Sequence, residues 1–508
     1  MNTHRPSLWL QSALPFLLLA ISLSAQEAQR PFIFEADVKA PMRDGVNLAA
    51  NIFRPKGDGP FPVILMRTPY GKMDEKMGDG KRYAAAGYAM VVQDCRGRGK
   101  SEGVWDPFRY DAQDGYDTQE WIGHQSWCNG SIGTAGGSYV GWTQWAPAAK
   151  SSRYLKAMVP IVPFGNAYEL AYSGGAFQLA LLMGWGTAVG SIALSPDKLQ
   201  EAFRHLPLRT FAEQFDNKVP YLDDWVAHYT YDDYWKARGI DYRYADVTIP
   251  ILNIGGWYDI FSKVTLDLVT QVRSASTDRE VRRNEFVVIG PWTHGVGAKK
   301  VGELDFGSDA GLNLGDLQFK WFEYWLKGRE TGVQDWPAYY LFVMGENRWR
   351  GENEWPLKRT RSTSYFLHSA GHAATLKGDG LLNAAEPGDE PTDQFTYDGN
   401  NPVPLSRWQQ PGGCVRRPAR SGKSRGARRR AGVFHCAAGA GHRGDGPREV
   451  DSLGGFQRPR HRLYGQAGGR PRRRQGLQLV RWNRARPTPQ RGGQAGAAGT
   501  RQGDAVRD

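Results

Sequence analysis

Residues 136–141 read Gly-Gly-Ser-Tyr-Val-Gly. A serine flanked by glycines between a short strand and a helix is typical of a nucleophile elbow, where the hydroxyl stands out from a tight turn. Such a strained backbone needs neighbours without side chains, and Gly136 and Gly141 provide that room. The common pattern has glycine where Val140 stands, and Gly/Ser clusters also form ordinary turns. The stretch therefore predicts Ser138 as a nucleophile, with a simple turn as the alternative.

A serine nucleophile requires a histidine as general base and a carboxylate that orients the imidazole. Asp259 follows a predicted buried strand at 249–254, and His294 follows another at 285–289. The chain order Ser, Asp, His is that of α/β-hydrolases. We predict that Ser138, Asp259 and His294 act together. The alternatives are a helix cap for Asp259 and a core or loop position for His294.

The oxyanion that forms during acyl transfer needs two hydrogen-bond donors. One is the backbone N–H of Tyr139, the residue after the nucleophile. The usual glycine-rich donor loop is missing after the early strand, where residues 67–71 read Arg-Thr-Pro-Tyr-Gly. The Tyr70 hydroxyl is the natural substitute, unless this tyrosine merely packs beside a turn.

Apolar and β-branched runs predict strands at 46–53, 61–66, 88–93 and 132–135, in addition to the two later strands. Helical spacing is found at 114–124 and 142–150. Alternating strands and helices predict an α/β class with a parallel sheet, helices on both faces and functional loops at the carboxyl ends of the strands.

Two segments differ from this alternating pattern in composition and residue spacing. Residues 166–245 carry Trp, Tyr and Leu at helical spacing and predict an inserted helical cap, with additional core helices of one domain as the alternative. From 338 onward short alternating runs lie between turns, which predicts a β-rich domain. The predicted organisation is a hydrolase-type domain in two parts, 26–165 and 246–332, around a cap at 166–245, followed by a β domain that begins in 333–404.

The N-terminus carries His4 and Arg5, then a mostly apolar run, then small residues at Ser24 and Ala25. This layout predicts a signal peptide over 1–25 and hence a secreted or periplasmic protein, with an uncleaved membrane anchor as the alternative.

The chain has a net charge of +13, and the excess of positive charge comes from the C-terminal tail, residues 405–508. Residues 405–508 hold 24 of the 65 Lys and Arg residues and 5 of the 52 Asp and Glu residues, which leaves a net charge of −6 on residues 1–404. A nucleic-acid-binding tail is one hypothesis. The acidic body argues against it, and no nucleic-acid partner is expected.

The tail also permits a different interpretation, a coding-frame error. If residues 460–470 are written in permitted codons and those codons are read one base later, they can encode Asp-Thr-Asp-Phe-Thr-Ala-Lys-Leu-Val-Asp-Val. This sequence regains the alternation of a strand. The break falls close to Pro404 or Leu405. As written, 405–508 is predicted to be disordered, and resequencing across the junction tests the frame hypothesis.

No cofactor or metal site is predicted. Residues 94–99, Asp-Cys-Arg-Gly-Arg-Gly, lack the dinucleotide pattern, and no Cys/His cluster has the spacing of metal ligands. We interpret Asp94 and Arg96 as a structural ion pair near the elbow.

These motifs resemble the family that contains cocaine esterase, α-amino-acid ester hydrolases and X-Pro dipeptidyl peptidases. The resemblance covers about residues 33–404. It is carried by Arg67-Thr68-Pro69-Tyr70, Gln93-Asp94-Cys95-Arg96-Gly97, residues 136–141, Gly256-Trp257-Tyr258-Asp259 and Gly290-Pro291-Trp292-Thr293-His294-Gly295.

The resemblance implies an α/β-hydrolase domain, a helical cap and a C-terminal β jelly roll, here truncated or frame-scrambled. It also implies a triad of Ser138, Asp259 and His294, with Tyr70 and Tyr139 at the oxyanion hole, and it accounts for Val140. Amino-ester-specific members carry carboxylates two and three residues after the triad aspartate, where this chain has Phe261 and Ser262. This favours an uncharged acyl group, and the expected substrate is a small acyl ester or amide, or a short peptide. X-Pro peptidase activity, amino-ester hydrolysis and an inactive binding protein with this fold are the alternatives.

Overall fold

The computed structural model describes residues 32–398 apart from 73–77, 191, 193, 216–218, 376 and 397. They fall into two compact units, one that ends at Thr360 and one that begins at Arg361. The predicted signal peptide at 1–25 and the tail at 405–508 lie outside the described residues.

The strands of the first unit are β1 (Phe32–Pro41), β2 (Asn47–Pro55), β3 (Phe61–Thr68), β4 (Ala89–Asp94), β5 (Cys128–Gly137), β6 (Leu155–Ile161), β7 (Tyr172–Ser173), β8 (Ala176–Phe177), β9 (Ile251–Gly256), β10 (Glu285–Gly290), β11 (Lys300–Val301), β12 (Leu304–Asp305), β13 (Tyr339–Val343) and β14 (Arg348–Glu352). Its α-helices are α1 (Gly78–Ala85), α2 (Asp111–Gly123), α3 (Tyr139–Trp145), α4 (Ala167–Ala171), α5 (Leu179–Val189), α6 (Pro196–Ala202), α7 (Pro220–Ala227), α8 (Asp233–Lys236), α9 (Ser262–Ala275), α10 (Arg279–Arg283) and α11 (Leu314–Lys327).

Ten strands form one mixed sheet in the order β1-β2-β4-β3-β5-β6-β9-β10-β13-β14. The strands from β4 to β13 in this order run parallel, and the outer strands β1, β2 and β14 pair antiparallel. The carboxyl ends of β3, β5, β9 and β10 therefore meet at one edge, as expected for a sheet of this type. The predicted α/β class is confirmed.

Both faces of the sheet are covered by helices because successive strand residues point to opposite sides. Val63 and Leu65 of β3 belong to an apolar cluster with α2, α3 and α9. Ile64, between them, belongs to a second cluster with α1 and α11. This alternation places the main core in two layers on either side of the sheet.

Strand β6 was missed by the sequence prediction. It contains Pro160, which lacks an N–H for the ladder and usually argues against an interior strand. The structure nevertheless places β6 between β5 and β9, and five of its seven residues are buried. Burial of this apolar run outweighs the single missing donor.

The β-rich domain does not begin at 333. Strand β13 pairs parallel with β10, and β14 pairs with β13, so both extend the large sheet. A strand pattern reports local conformation and not the sheet that the strand joins, which is why this boundary was wrong. The second unit begins at Arg361, and its described residues hold one antiparallel pair, β15 (Phe366–His368) and β16 (Leu381–Asn383). The jelly roll stays a prediction.

The described residues of the 166–245 segment include helices α4 to α8 and the hairpin β7–β8. Leu182 and Met183 of α5 and Leu222 of α7 are buried in one apolar cluster with Tyr139 and Phe261, which flank the predicted site. This segment therefore packs directly over the edge of the sheet where the predicted catalytic residues lie.

Among the helices of the described residues, we find none with the length and apolarity needed to cross a bilayer.

Candidate active site

Ser138 lies at the turn between β5 and α3, and its backbone is strained. Its φ of 60° and ψ of −123° are rarely adopted by a residue with a side chain. The turn is held by hydrogen bonds from the Ser138 N–H to the Ile161 carbonyl (2.9 Å) and from the Trp142 N–H to the Ser138 carbonyl (3.0 Å). Backbone strain of this kind costs about 1–3 kcal/mol and is found mainly at functional sites. The elbow predicted from the sequence is therefore present.

The glycines around Ser138 differ in whether their surroundings leave room for a Cβ atom. A Cβ at Gly136 would lie 2.2 Å from Cγ1 of Val140, and its φ of +131° is itself unfavourable for other residues. A Cβ at Gly141 would lie 2.9 Å from the Ile161 carbonyl oxygen. A Cβ at Gly137 would meet its nearest neighbour, the same oxygen, at an ordinary 3.5 Å.

We therefore expect Gly136→Ala to lower the free energy of unfolding by about 2–4 kcal/mol, since strain and overpacking add. Gly137→Ala is the matched control and should change it by less than about 1 kcal/mol. Urea denaturation of the two variants measures the difference, and equal effects would contradict the steric account of the elbow.

The structure brings Ser138, Asp259 and His294 together. His294 Nε2 lies 2.9 Å from Ser138 Oγ, and His294 Nδ1 lies 2.7 Å from Asp259 Oδ1. The Asp259 side chain is fully buried, whereas that of His294 is 22% exposed. These distances are those of a nucleophile, a base and its orienting carboxylate. The three side chains converge because β5, β9 and β10 end at the same edge of the sheet.

Tyr70 lies on the loop after β3, and its side chain lines the same cavity as that of Ser138. Trp185 of α5 donates its indole N–H to the Tyr70 hydroxyl at 3.2 Å. Partial burial of the tyrosine raises its pKa, although the hydrogen bond from Trp185 works in the opposite direction. The hydroxyl consequently stays protonated at neutral pH and can donate a hydrogen bond.

Tyr139 opens α3, so its N–H is among the first four amides, which have no acceptor within the helix. Its buried hydroxyl donates to Asp111 Oδ2 at 2.6 Å and accepts the Phe108 N–H at 2.9 Å. Trp142 donates its indole N–H to the same carboxylate oxygen at 2.9 Å. Burial raises the pKa of Tyr139 well above its usual value. Asp111 thus holds the first turn of α3 in place by accepting hydrogen bonds from Tyr139 and Trp142. The sequence analysis did not identify this role.

The predicted ion pair between Asp94 and Arg96 is wrong. Asp94 binds Lys72 through the backbone N–H (2.6 Å) and through Nζ (3.1 Å). Arg96 instead binds Asp114 Oδ1 at 2.5 Å and Asp44 Oδ2 at 2.8 Å. Asp94 ends β4 and Arg96 lies two residues further along the chain, and their side chains diverge to different partners.

A cavity of about 260 Å³ opens beside Ser138. It is lined by Tyr70, Phe108, Ser138, Tyr139, Phe164, Leu170, Leu181, Leu182, Trp185, Ile260, Phe261 and His294. Among the described residues, neither a carboxylate nor a lysine side chain lines it. The ring of Phe261 stands edge-on to His294, with centroids 5.3 Å apart. The cavity therefore offers an apolar and aromatic surface directly beside the Ser138 hydroxyl.

Within the described residues, no group of three or more His, Cys, Asp and Glu side chains is arranged to hold a metal ion.

The sheet topology and its covering helices define an α/β-hydrolase. A family model described as X-Pro dipeptidyl-peptidase (S15 family) matches residues 44–296. Cocaine esterase of Rhodococcus sp. (strain MB1 Bresler) is 32% identical over 398 residues, which cover 73% of this chain and 68% of that protein. The chain belongs to this S15 family and is a serine hydrolase, as the motifs indicated.

Two solved structures share the fold. An aminopeptidase from a marine sediment Thaumarchaeota archaeon aligns with a TM-score of 0.59 and 24% identity, over 70% of this chain and 63% of its own. An α-amino acid ester hydrolase aligns with a TM-score of 0.56 and 23% identity, over 72% and 64%. The chain thus spans slightly less than two thirds of either structure, and the likeness concerns the fold alone.

Proposed function

We propose that this protein is an exported enzyme that hydrolyses uncharged acyl esters or amides through Ser138, His294 and Asp259. The observation that carries the proposal is the continuous hydrogen-bonded arrangement from Asp259 through His294 to Ser138, at the wall of an apolar cavity. Export rests on the sequence pattern of residues 1–25.

In the proposed reaction, Ser138 Oγ attacks the carbonyl carbon while His294 Nε2 takes the hydroxyl proton. Asp259 stabilises the imidazolium that results. The carbonyl oxygen becomes an oxyanion, which accepts hydrogen bonds from the Tyr70 hydroxyl and the Tyr139 N–H. His294 then protonates the leaving alcohol or amine, and the C–O or C–N bond breaks to leave an acyl ester on Ser138. Water, activated by His294, hydrolyses that ester and returns the proton to Ser138.

The cavity favours an uncharged acyl group. Phe261 occupies a position at which amino-ester-specific members of the family carry a carboxylate, and none of the described residues that line the cavity is acidic. An ammonium group buried there would lose its hydration without gaining a counter-ion, which costs several kcal/mol. Phe108, Phe164 and Leu182 instead provide apolar contacts.

We expect the full-length protein to hydrolyse p-nitrophenyl phenylacetate with a kcat/KM at least about 100-fold above that for the p-nitrophenyl ester of phenylglycine. The two esters share their shape and differ by the α-ammonium group. Gly-Pro p-nitroanilide, assayed beside them, measures X-Pro dipeptidyl-peptidase activity, which the description of the matching family favours. A preference for the amino ester or the X-Pro amide would contradict the proposed substrate class. Absence of labelling by a fluorophosphonate probe would indicate an inactive binding protein instead.

A further inference from the structure

One side chain of the 166–245 segment contacts both tyrosines that carry the proposed oxyanion donors. The indole N–H of Trp185 lies 3.2 Å from the Tyr70 hydroxyl oxygen. The same indole lies almost parallel to the ring of Tyr139, with centroids 5.4 Å apart and planes inclined by 19°. Phe108 also stacks on it, at 5.7 Å and 21°. Trp185 is thus positioned by aromatic packing while its single polar group is directed at Tyr70.

A second contact joins the same two elements. Arg98 donates from Nε to the carbonyl of Pro69 at 2.8 Å, directly before Tyr70 in the chain. It donates from Nη1 to the carbonyl of Val189 at 2.5 Å, at the last residue of α5. A guanidinium group is favourable at a helix C-terminus, where carbonyls lack intrahelical partners. Arg98 therefore links the Tyr70 loop to the helix that carries Trp185.

From these contacts we infer that Trp185 is a positioning residue of the oxyanion hole, acting through Tyr70. The inference rests on the proposed function. By occupying an acceptor site of the Tyr70 oxygen, the indole N–H restricts rotation of the hydroxyl. It also polarises the O–H bond, because hydrogen bonds in a chain strengthen one another. Tyr70 then donates more strongly to the oxyanion than to a ground-state carbonyl.

Loss of a positioning residue affects the kinetics differently from loss of a residue that only lines the cavity. A residue that only contacts the acyl group binds substrate and transition state alike, and its loss raises KM. A residue that acts through the oxyanion donor stabilises the transition state alone, and its loss lowers kcat. Since the effect passes through the Tyr70 hydroxyl, it must also disappear when that hydroxyl is absent.

The experiment is a double-mutant cycle on the full-length protein with p-nitrophenyl phenylacetate. Trp185→Phe keeps an aromatic ring in the stack and removes the N–H. We expect it to lower kcat about tenfold with KM within about twofold, while Tyr70→Phe lowers kcat about 10²–10³-fold. In the Tyr70→Phe background, Trp185→Phe should change kcat by less than about twofold.

Trp225→Phe is the matched control. Trp225 stacks on Trp185 at 6.2 Å and 20°, and its indole nitrogen has no hydrogen-bond partner among the described residues. We expect its kcat to stay within about twofold of the parent. An equal loss in Trp225→Phe, a rise in KM alone for Trp185→Phe, or the same loss in both Tyr70 backgrounds would overturn the inference.

The proposed function and the inference fail in distinguishable ways. If Tyr70→Phe leaves kcat unchanged, the oxyanion assignment of the proposed function is wrong and the inference falls with it. If Tyr70→Phe is impaired but Trp185→Phe is not, only the inference is wrong. Should Trp185→Phe be unfolded by circular dichroism, benzothienylalanine at position 185 replaces it, because this analogue keeps the shape of the indole without the N–H. The same kinetic outcomes then apply.

Discussion

Ser138→Ala is expected to lower kcat for ester hydrolysis by about 10⁴–10⁶-fold and to abolish labelling by a fluorophosphonate probe. The substitution removes the atom that forms the acyl-enzyme in the proposed reaction, while the hydrogen bond from the Ser138 N–H to Ile161 is retained. Alanine meets the same backbone strain as serine at a φ of 60°, so the stability should change by less than about 1 kcal/mol. Steady-state kinetics and in-gel labelling measure the two effects.

The control for this variant is Ser173→Ala, on the exposed side of the hairpin β7–β8. It should retain full activity and full labelling. Labelling that persists in Ser138→Ala but is lost in some other serine variant would place the nucleophile elsewhere. A decrease in kcat of less than about 100-fold would refute covalent catalysis at Ser138.

Asp259→Asn is expected to lower kcat by about 10³–10⁴-fold. The Asp259 carboxylate is buried and accepts a hydrogen bond from His294 at 2.7 Å. Its second oxygen has no hydrogen-bond partner among the described residues. An amide at this position can therefore turn either its carbonyl or its NH₂ group toward the imidazole. In both orientations the negative charge that stabilises the imidazolium in the proposed reaction is lost, so a large decrease follows even where the correct tautomer survives.

Kinetics on the folded Asp259→Asn variant test this expectation. Asp267→Asn, on α9, is the matched control, since its carboxylate is partly exposed and pairs with Lys263 at the surface. Its kcat should stay within about twofold of the parent. If Asp259→Asn retains more than a tenth of the parent kcat, Asp259 is not the partner of the catalytic base.

The convergence of Ser138, Asp259 and His294 could be predicted because it depends on a rule of topology. Each residue follows a short apolar strand, and parallel strands end at the same edge of their sheet. The elbow itself could be predicted from local sterics, since Gly136 and Gly141 leave no room for a Cβ. Val140, which departs from the common pattern, forms part of the reason that Gly136 must be glycine.

Other features depend on where side chains meet across long stretches of chain. The pairing of β13 with β10 decides that Tyr339–Val343 belongs to the large sheet, and its alternating pattern fits a smaller β domain equally well. Strand β6 contains a proline that argues against it locally, and only its burial between two neighbours explains it. Arg96 has Asp114 and not Asp94 as its partner, because side-chain direction beyond β4 is set by packing.

The sequence by itself determined the α/β class, the family and the residue types that carry the proposed chemistry, because glycine requirements and strand-end placement are local or follow from topology. Only the tertiary structure decided what surrounds them. Asp111 beneath Tyr139 is 28 residues away in the chain, and Trp185 meets Tyr70 across 115 residues. No periodicity encodes such contacts, since the first arises when α2 packs beside α3 and the second when the 166–245 segment packs over the sheet edge.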